Sequence, residues 1–193
     1  MATLYPVLNI ISISLRTDNA FETQSLSLFT SESSLDSFKT LFTETSFLKW
    51  TWNSFIVTFV VTLTGVALAS TSGYALSRFN FKGRQFGMLS LLTTQMFPAT
   101  MLLLPFFILL SKIGLINSYI GLIIIYSSTA LPFCIWQMKG YYDTIPPSLE
   151  ESARLDGCTR FQAFYKVILP LSTPALVITA LFSFMASWSE YVV

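Results

Sequence analysis

Residues 150–170 read EESARLDGCTRFQAFYKVILP, a polar island between two long apolar runs and the only densely patterned charge in the second half of the chain. Its surroundings decide the fold class. Charged residues bound four uncharged runs, Trp50–Ser77, Gln85–Ser111, Ile113–Met138 and Val167–Ser189, each longer than the roughly 20 residues that cross a ~30 Å hydrocarbon core as a helix. Buried helices of soluble proteins rarely run so far without a charge. The composition agrees, with 53% hydrophobic and 11% charged among 193 residues and a mean hydropathy of +0.63, far from a soluble balance. The expected fold is therefore all-α, a polytopic transmembrane helical bundle forming one domain over 1–193. Its membrane helices are expected at 50–77, 85–111, 118–138 and 171–193, with the island inside a water-facing loop at 139–170.

Outside these spans, the opening MATLYPVLNIISISL is apolar for about 14 residues, near 21 Å as a helix and too short to cross alone. No basic region precedes it and no clean small-residue cleavage site follows it, so it does not read as a signal peptide. Residues 1–15 are expected to be a partial helix, and the chain a fragment with about five helices present and a final one missing. Orientation follows from Lys and Arg, which cytoplasmic loops hold in excess. Arg78, Lys82 and Arg84 fall within seven residues, and Lys139, Arg154, Arg160 and Lys166 mark the island's loop. Both loops are assigned to the cytoplasm. Residues 16–49, with Asp18, Glu22, Glu32, Asp36 and Glu44 against three basic residues, are assigned to an external loop.

Several chemistries are excluded or disfavoured by what the chain lacks. It has no His, the commonest general base, and no G-x-S-x-G elbow, so it does not read as an enzyme. Two Cys without His make no recognisable metal site. No G-x-x-x-x-G-K-[ST] run is present, so the chain does not cradle nucleotide phosphates by that device; no cofactor is expected, and any ATP-driven role would need an ATPase on another polypeptide. Small residues from Thr58 to Ala75, among them Gly65 and Gly73, suit close helix packing in lipid. Pro98, Pro105 and Pro132 are expected to bend their spans. Gln95 and Glu190 are the polar side chains that could line a pathway, because amides and carboxylates within spans are costly and mark function.

Within the island, Pro146 and Pro147 end the preceding element, and Ser148 with Glu151 forms an S-x-x-E capping box. Asp156 and Gly157 close that helix, Gly tolerating the left-handed conformation at a helix C-terminus. Thr159 with Gln162 starts a second helix, on which Phe161, Phe164, Tyr165 and Ile168 recur at helical spacing and should anchor the pair to the protein's own helices. Helices this short are marginal in water and need a surface. Leu149, Ser152, Ala153 and Asp156 form the face expected to dock into a partner's groove. A plain solvated connection is the alternative, and the loop's balance of four acids and four bases disfavours a lipid surface or a nucleic acid.

The island resembles the EAA loop of permease subunits of bacterial ATP-binding-cassette importers, the MetI-like family, whose pattern is Glu-Ala-Ala, three residues, Gly, nine residues, Ile, one residue, Leu-Pro. Glu151, Ala153, Gly157, Leu169 and Pro170 stand at that spacing, with Ser152 in place of Ala and Val167 in place of Ile. The approach KGYYDTIPPSLEESARLDG from Lys139, the tetrad Gln95–Pro98, SLR at Ser14–Arg16 and the Trp52-Asn53-Ser54 stretch are similar to the maltose/maltodextrin permeases of the carbohydrate-uptake branch. The resemblance implies a sugar importer of the bacterial inner membrane. It also implies partners: cytoplasmic ATPase subunits, a second permease subunit and an extracytoplasmic sugar-binding protein. ATPase docking is expected on Glu151, Ser152, Ala153, Asp156, Gly157, Leu169 and Pro170. An ion-gradient-driven secondary transporter or channel is the rival, disfavoured because the spans carry no ionisable group apart from Glu190 near the end.

Overall fold

The computed structural model describes residues 4–15 and 34–190. The chain divides into two compact units, Met1–Asn53 and Ser54–Val193. In the first, α1 (Tyr5–Ser14) is the short apolar helix expected at 1–15. The expected external loop at 16–49 is not uniformly a loop: its residues 16–33 lie outside the described ones, and α2 (Asp36–Glu44) forms a helix. The Ser34 hydroxyl accepts from the Asp36 N–H at 2.9 Å, and Asp36 carries negative charge in the positive first turn. Helix α3 (Phe47–Arg78) begins three residues before the expected span.

In the second unit the run Gln85–Ser111 is not one helix. It breaks into α4 (Arg84–Thr94) and α5 (Ala99–Lys112). Pro98 caps α5 with an extended ψ of 133°, and a proline drives the residue before it out of the helical region, so the break falls on the Gln95–Pro98 tetrad. Pro105 and Pro132, in contrast, lie inside helices that continue through them. Helix α6 (Tyr119–Thr144) extends six residues past the expected span end at Met138, with Ser118 capping its start by accepting from the Gly121 N–H at 3.0 Å.

The island forms α7 (Ser148–Leu155) and α8 (Arg160–Ala163); a π turn (Phe164–Ile168) and α9 (Leu169–Leu171) continue it to α10 (Thr173–Trp188). Residues Arg160–Leu171 meet Thr173–Trp188 at a 76° bend. Among the described residues α3 and α6 are long and apolar enough to cross a membrane, and the bent pair makes a third span if counted as one. Of the four continuous spans expected from charge spacing, two are therefore single long helices, one is a bent pair, and the run 85–111 is two shorter helices.

The small residues of α3 let its neighbours come close. A Cβ on Gly73 would lie 2.9 Å from Met138 Cβ and 3.0 Å from the Lys139 backbone nitrogen, and one on Gly65 2.7 Å from Ser183 Oγ. Helix α10 turns Ala175, Thr179, Ser183 and Ser187 inward at every fourth position, one face of a helix. The Thr179 hydroxyl donates to the Ala175 carbonyl, so this polar group is satisfied within its own helix. A core of Ala69, Tyr74, Cys134, Met138, Tyr142, Ile145, Phe164, Ile168 and Ala175 joins α3, α6, the π turn and α10. Two of its members, Phe164 and Ile168, belong to the island itself.

Candidate functional site

Helix α7 has eight residues, too few to hold its shape in water alone, and its closure is correspondingly well specified. Gly157 has φ +90°. Its N–H donates to the Arg154 carbonyl at 3.1 Å while the Cys158 N–H reaches back to the Ala153 carbonyl at 3.0 Å, the paired bonds of a Schellman motif. Two residues on, the Thr159 hydroxyl accepts from the Gln162 N–H at 3.2 Å and the Gln162 side chain accepts from the Thr159 N–H at 2.8 Å. The capping box expected there is present. The one expected at Ser148 is not: Pro147 is the N-cap, with φ −59° and ψ −24°, and no side-chain bond is made. The pyrrolidine ring already supplies a helical φ, so Ser148 falls within the first turn rather than before it.

The two faces of the island also divide differently from expectation. Ala153 is the buried residue of α7, so the expected docking face Leu149–Ser152–Ala153–Asp156 is interrupted, with Ala153 turned inward. Glu151, Ser152, Asp156 and Gly157 are exposed. Beside them is an open hollow of about 600 Å³ lined by Glu151, Arg154, Leu155, Cys158, Thr159 and Arg160. On the second helix Phe164 and Ile168 are buried, but Phe161 and Tyr165 are 74% and 62% exposed. The wider winding of the π turn shifts Tyr165 out of the register expected from Phe164 to Ile168, whereas Phe161 precedes that turn, on α8. The turn also leads into Pro170, which has no N–H to continue a regular ladder; the Leu169 N–H bonds to the Phe164 carbonyl instead. Leu169 is half-buried and Pro170 exposed at the approach to the 76° bend.

The chief contact absent from the sequence reading is made by Glu150. Its carboxylate receives a hydrogen bond from the Tyr74 hydroxyl at 2.7 Å and forms an ion pair with the Arg78 Nε. The two charged side chains are 12% and 14% exposed. Arg78 also donates through Nη2 to the Ile145 carbonyl at 2.8 Å. Next to it the Ser77 hydroxyl donates to Asp143 at 2.7 Å, and Asp143 pairs with Lys139. Tyr74 packs its ring 4.4 Å from that of Phe164. The available sequence signal is an acid doublet, Glu150-Glu151, whose members point about 100° apart on a helix and so need not share an environment. Its partners lie 72 and 76 positions away, beyond any local pattern.

Of the two proposed pathway residues, Gln95 caps α4 and donates to the Thr129 carbonyl of α6 at 3.1 Å. Glu190 is half-buried, two residues beyond the end of α10. The structure does not bring the two together with the island.

Among the described residues the chain is all-helical, with two helices long and apolar enough to cross a membrane and the short, capped α7 following the second of them. The comparisons place it more narrowly. Residues 62–193 match the family described as binding-protein-dependent transport system inner membrane component, and the chain belongs to that family. It is 36% identical over 190 residues to maltodextrin transport system permease protein MdxG of Bacillus subtilis (strain 168), covering 97% of this chain and 67% of that protein. It is 40% identical over 149 residues to maltose/maltodextrin transport system permease protein MalG of Vibrio vulnificus (strain YJ016), covering 74% of this chain and 50% of that one. Diacetylchitobiose uptake system permease protein DasC of Streptomyces coelicolor is 35% identical over 162 residues, 84% of this chain and 59% of that protein. Among solved structures, a bacterial ABC transporter involved in the import of the acidic polysaccharide alginate matches with a TM-score of 0.83 and 27% identity, over 98% of this chain and 66% of that one. The chain spans about two thirds of the length of MdxG and of the alginate transporter chain.

Proposed function

We propose that this chain is the permease part of an ATP-driven importer of carbohydrates, of the maltose/maltodextrin oligosaccharide type. In this reading α7 is the coupling helix. The observation that carries it is the exposed Glu151, Ser152 and Asp156 on a helix closed by a left-handed Gly157, at the family's EAA spacing. Such an element transmits a domain motion because its cap and bend are fixed. The names of the relatives, which include maltodextrin and maltose permeases, support the substrate class.

The exposed side chains of α7 contact a cytoplasmic ATPase subunit, which alone binds ATP. Ala153 fixes the distance between α7 and the segment behind it, while Leu169 and Pro170 carry the second helix into the bend before α10. Closure of the ATPase pair moves the island and, through the shared core, α3, α6 and α10. A second permease subunit and an extracytoplasmic sugar-binding protein complete the assembly. Gln95 and Glu190 belong to the pathway wall.

The test is to express the full-length subunit with its ATPase and second permease, reconstitute the complex, and add maltotriose with the binding protein. Binding-protein-stimulated ATP hydrolysis with sugar uptake is expected. Uptake that follows an ion gradient and ignores ATP would favour the secondary-transporter reading instead.

A further inference from the structure

We infer that Glu150, held by Arg78 and Tyr74, is a positioning residue that ties the coupling helix to α3, so that displacement of α7 moves α3 rather than only bending the loop. The inference rests on the coupling role of α7 proposed above and assigns its transmission to a particular junction. Three observations converge on it. Glu150 lies in the first turn of α7, and its carboxylate points inward to a tyrosine and an arginine of the last two turns of α3. The same arginine donates to the carbonyl of Ile145, the C-cap of α6. One guanidinium thus joins the ends of three helices. It meets negative partners on both sides, the buried C-terminal carbonyl of α6 and the carboxylate of α7.

Elsewhere the attachment of α7 is slight. Its one buried side chain is Ala153, which cannot resist a pull along the helix as a directional ion pair can. The pair is mostly withdrawn from solvent, so removing one partner strands the other charge and the junction opens rather than loosening by degrees. The adjacent acids consequently have separate tasks: Glu151 faces outward and Glu150 holds from within.

The test uses the complete transporter, with the full-length subunit and all partners, in proteoliposomes with maltotriose and the binding protein. It reads sugar carried per ATP hydrolysed, because a merely structural defect lowers assembly and both rates together. Arg78→Glu and Glu150→Arg are each expected to lower that ratio about tenfold while the subunits still co-purify, and the two combined to recover most of it. Tyr74→Phe removes one hydrogen bond and keeps the ion pair, and should lower the ratio about threefold. An unchanged ratio in the single charge variants, or a double variant no better than the singles, overturns the inference. Should the charge reversals fail to assemble, Glu150→Gln and Tyr74→Phe decide it, an unchanged ratio in both being the contrary result. Absence of stimulated hydrolysis in the unmodified complex removes the coupling reading and this inference with it, a failure distinct from a working complex whose variants keep full coupling.

Discussion

Replacing Gly157 separates backbone geometry from side-chain bulk, because the two make opposite demands there. The residue holds φ +90°, a region that side chains other than glycine enter only at a cost of about 1–2 kcal/mol. Yet a Cβ built on it would meet nothing within 4 Å. The penalty therefore depends on φ and not on volume. Gly157→Asn should be mild, since asparagine tolerates left-handed backbone best among the others. Gly157→Ala should weaken docking by about 1–2 kcal/mol, a factor of about 5–30 in the fraction of correctly bent loop. Gly157→Pro should be worst, because it fixes φ near −65° and removes the N–H that bonds the Arg154 carbonyl. The assay is apparent affinity of the reconstituted membrane subunits for the ATPase, with uptake measured alongside. Equal affinities for Gly, Asn and Ala, or a ranking that follows side-chain volume, would refute the reasoning.

Gly73→Ala should lower the melting temperature of the detergent-solubilised subunit by several degrees, because the new Cβ meets α6 backbone that cannot rotate away and overpacking costs about 1–3 kcal/mol; Gly87→Ala, with open space around it, is the control and should not. Thr159→Ala removes the acceptor for the Gln162 N–H, worth about 1 kcal/mol, and should speed amide hydrogen exchange across residues 160–163 about fivefold, as followed by mass spectrometry.

Charge spacing and capping chemistry made much of this protein legible in its sequence. The long apolar runs gave α3 and α6, and Asp156-Gly157 and Thr159–Gln162 gave the bend and the second cap, because each depends on residues within a few positions. Pro98 marks the run 85–111 as bent, but the absence of charge makes it read as one span where the chain breaks fully into two helices. Extension of α6 to Thr144 was missed because Lys139 and Asp143 looked like loop, whereas at i, i+4 they form a pair on the helix surface. The π turn lies among ordinary helix formers and leaves no local signature, so regular helical spacing puts Tyr165 on one stripe with Phe164 and Ile168. Arg78 was read for topology alone. Its contact with Glu150 depends on three helix ends meeting in space, which no spacing rule encodes.

The orientation of the island is tested most directly at Cys158, which lies half-buried at the bend between α7 and α8. In a full-length subunit where it is the only remaining cysteine, an impermeant maleimide should label Cys158 in inside-out membrane vesicles and leave it unlabelled in intact cells. Labelling of Cys158 from outside intact cells would put α7 on the wrong side of the membrane for any ATPase and contradict the coupling role.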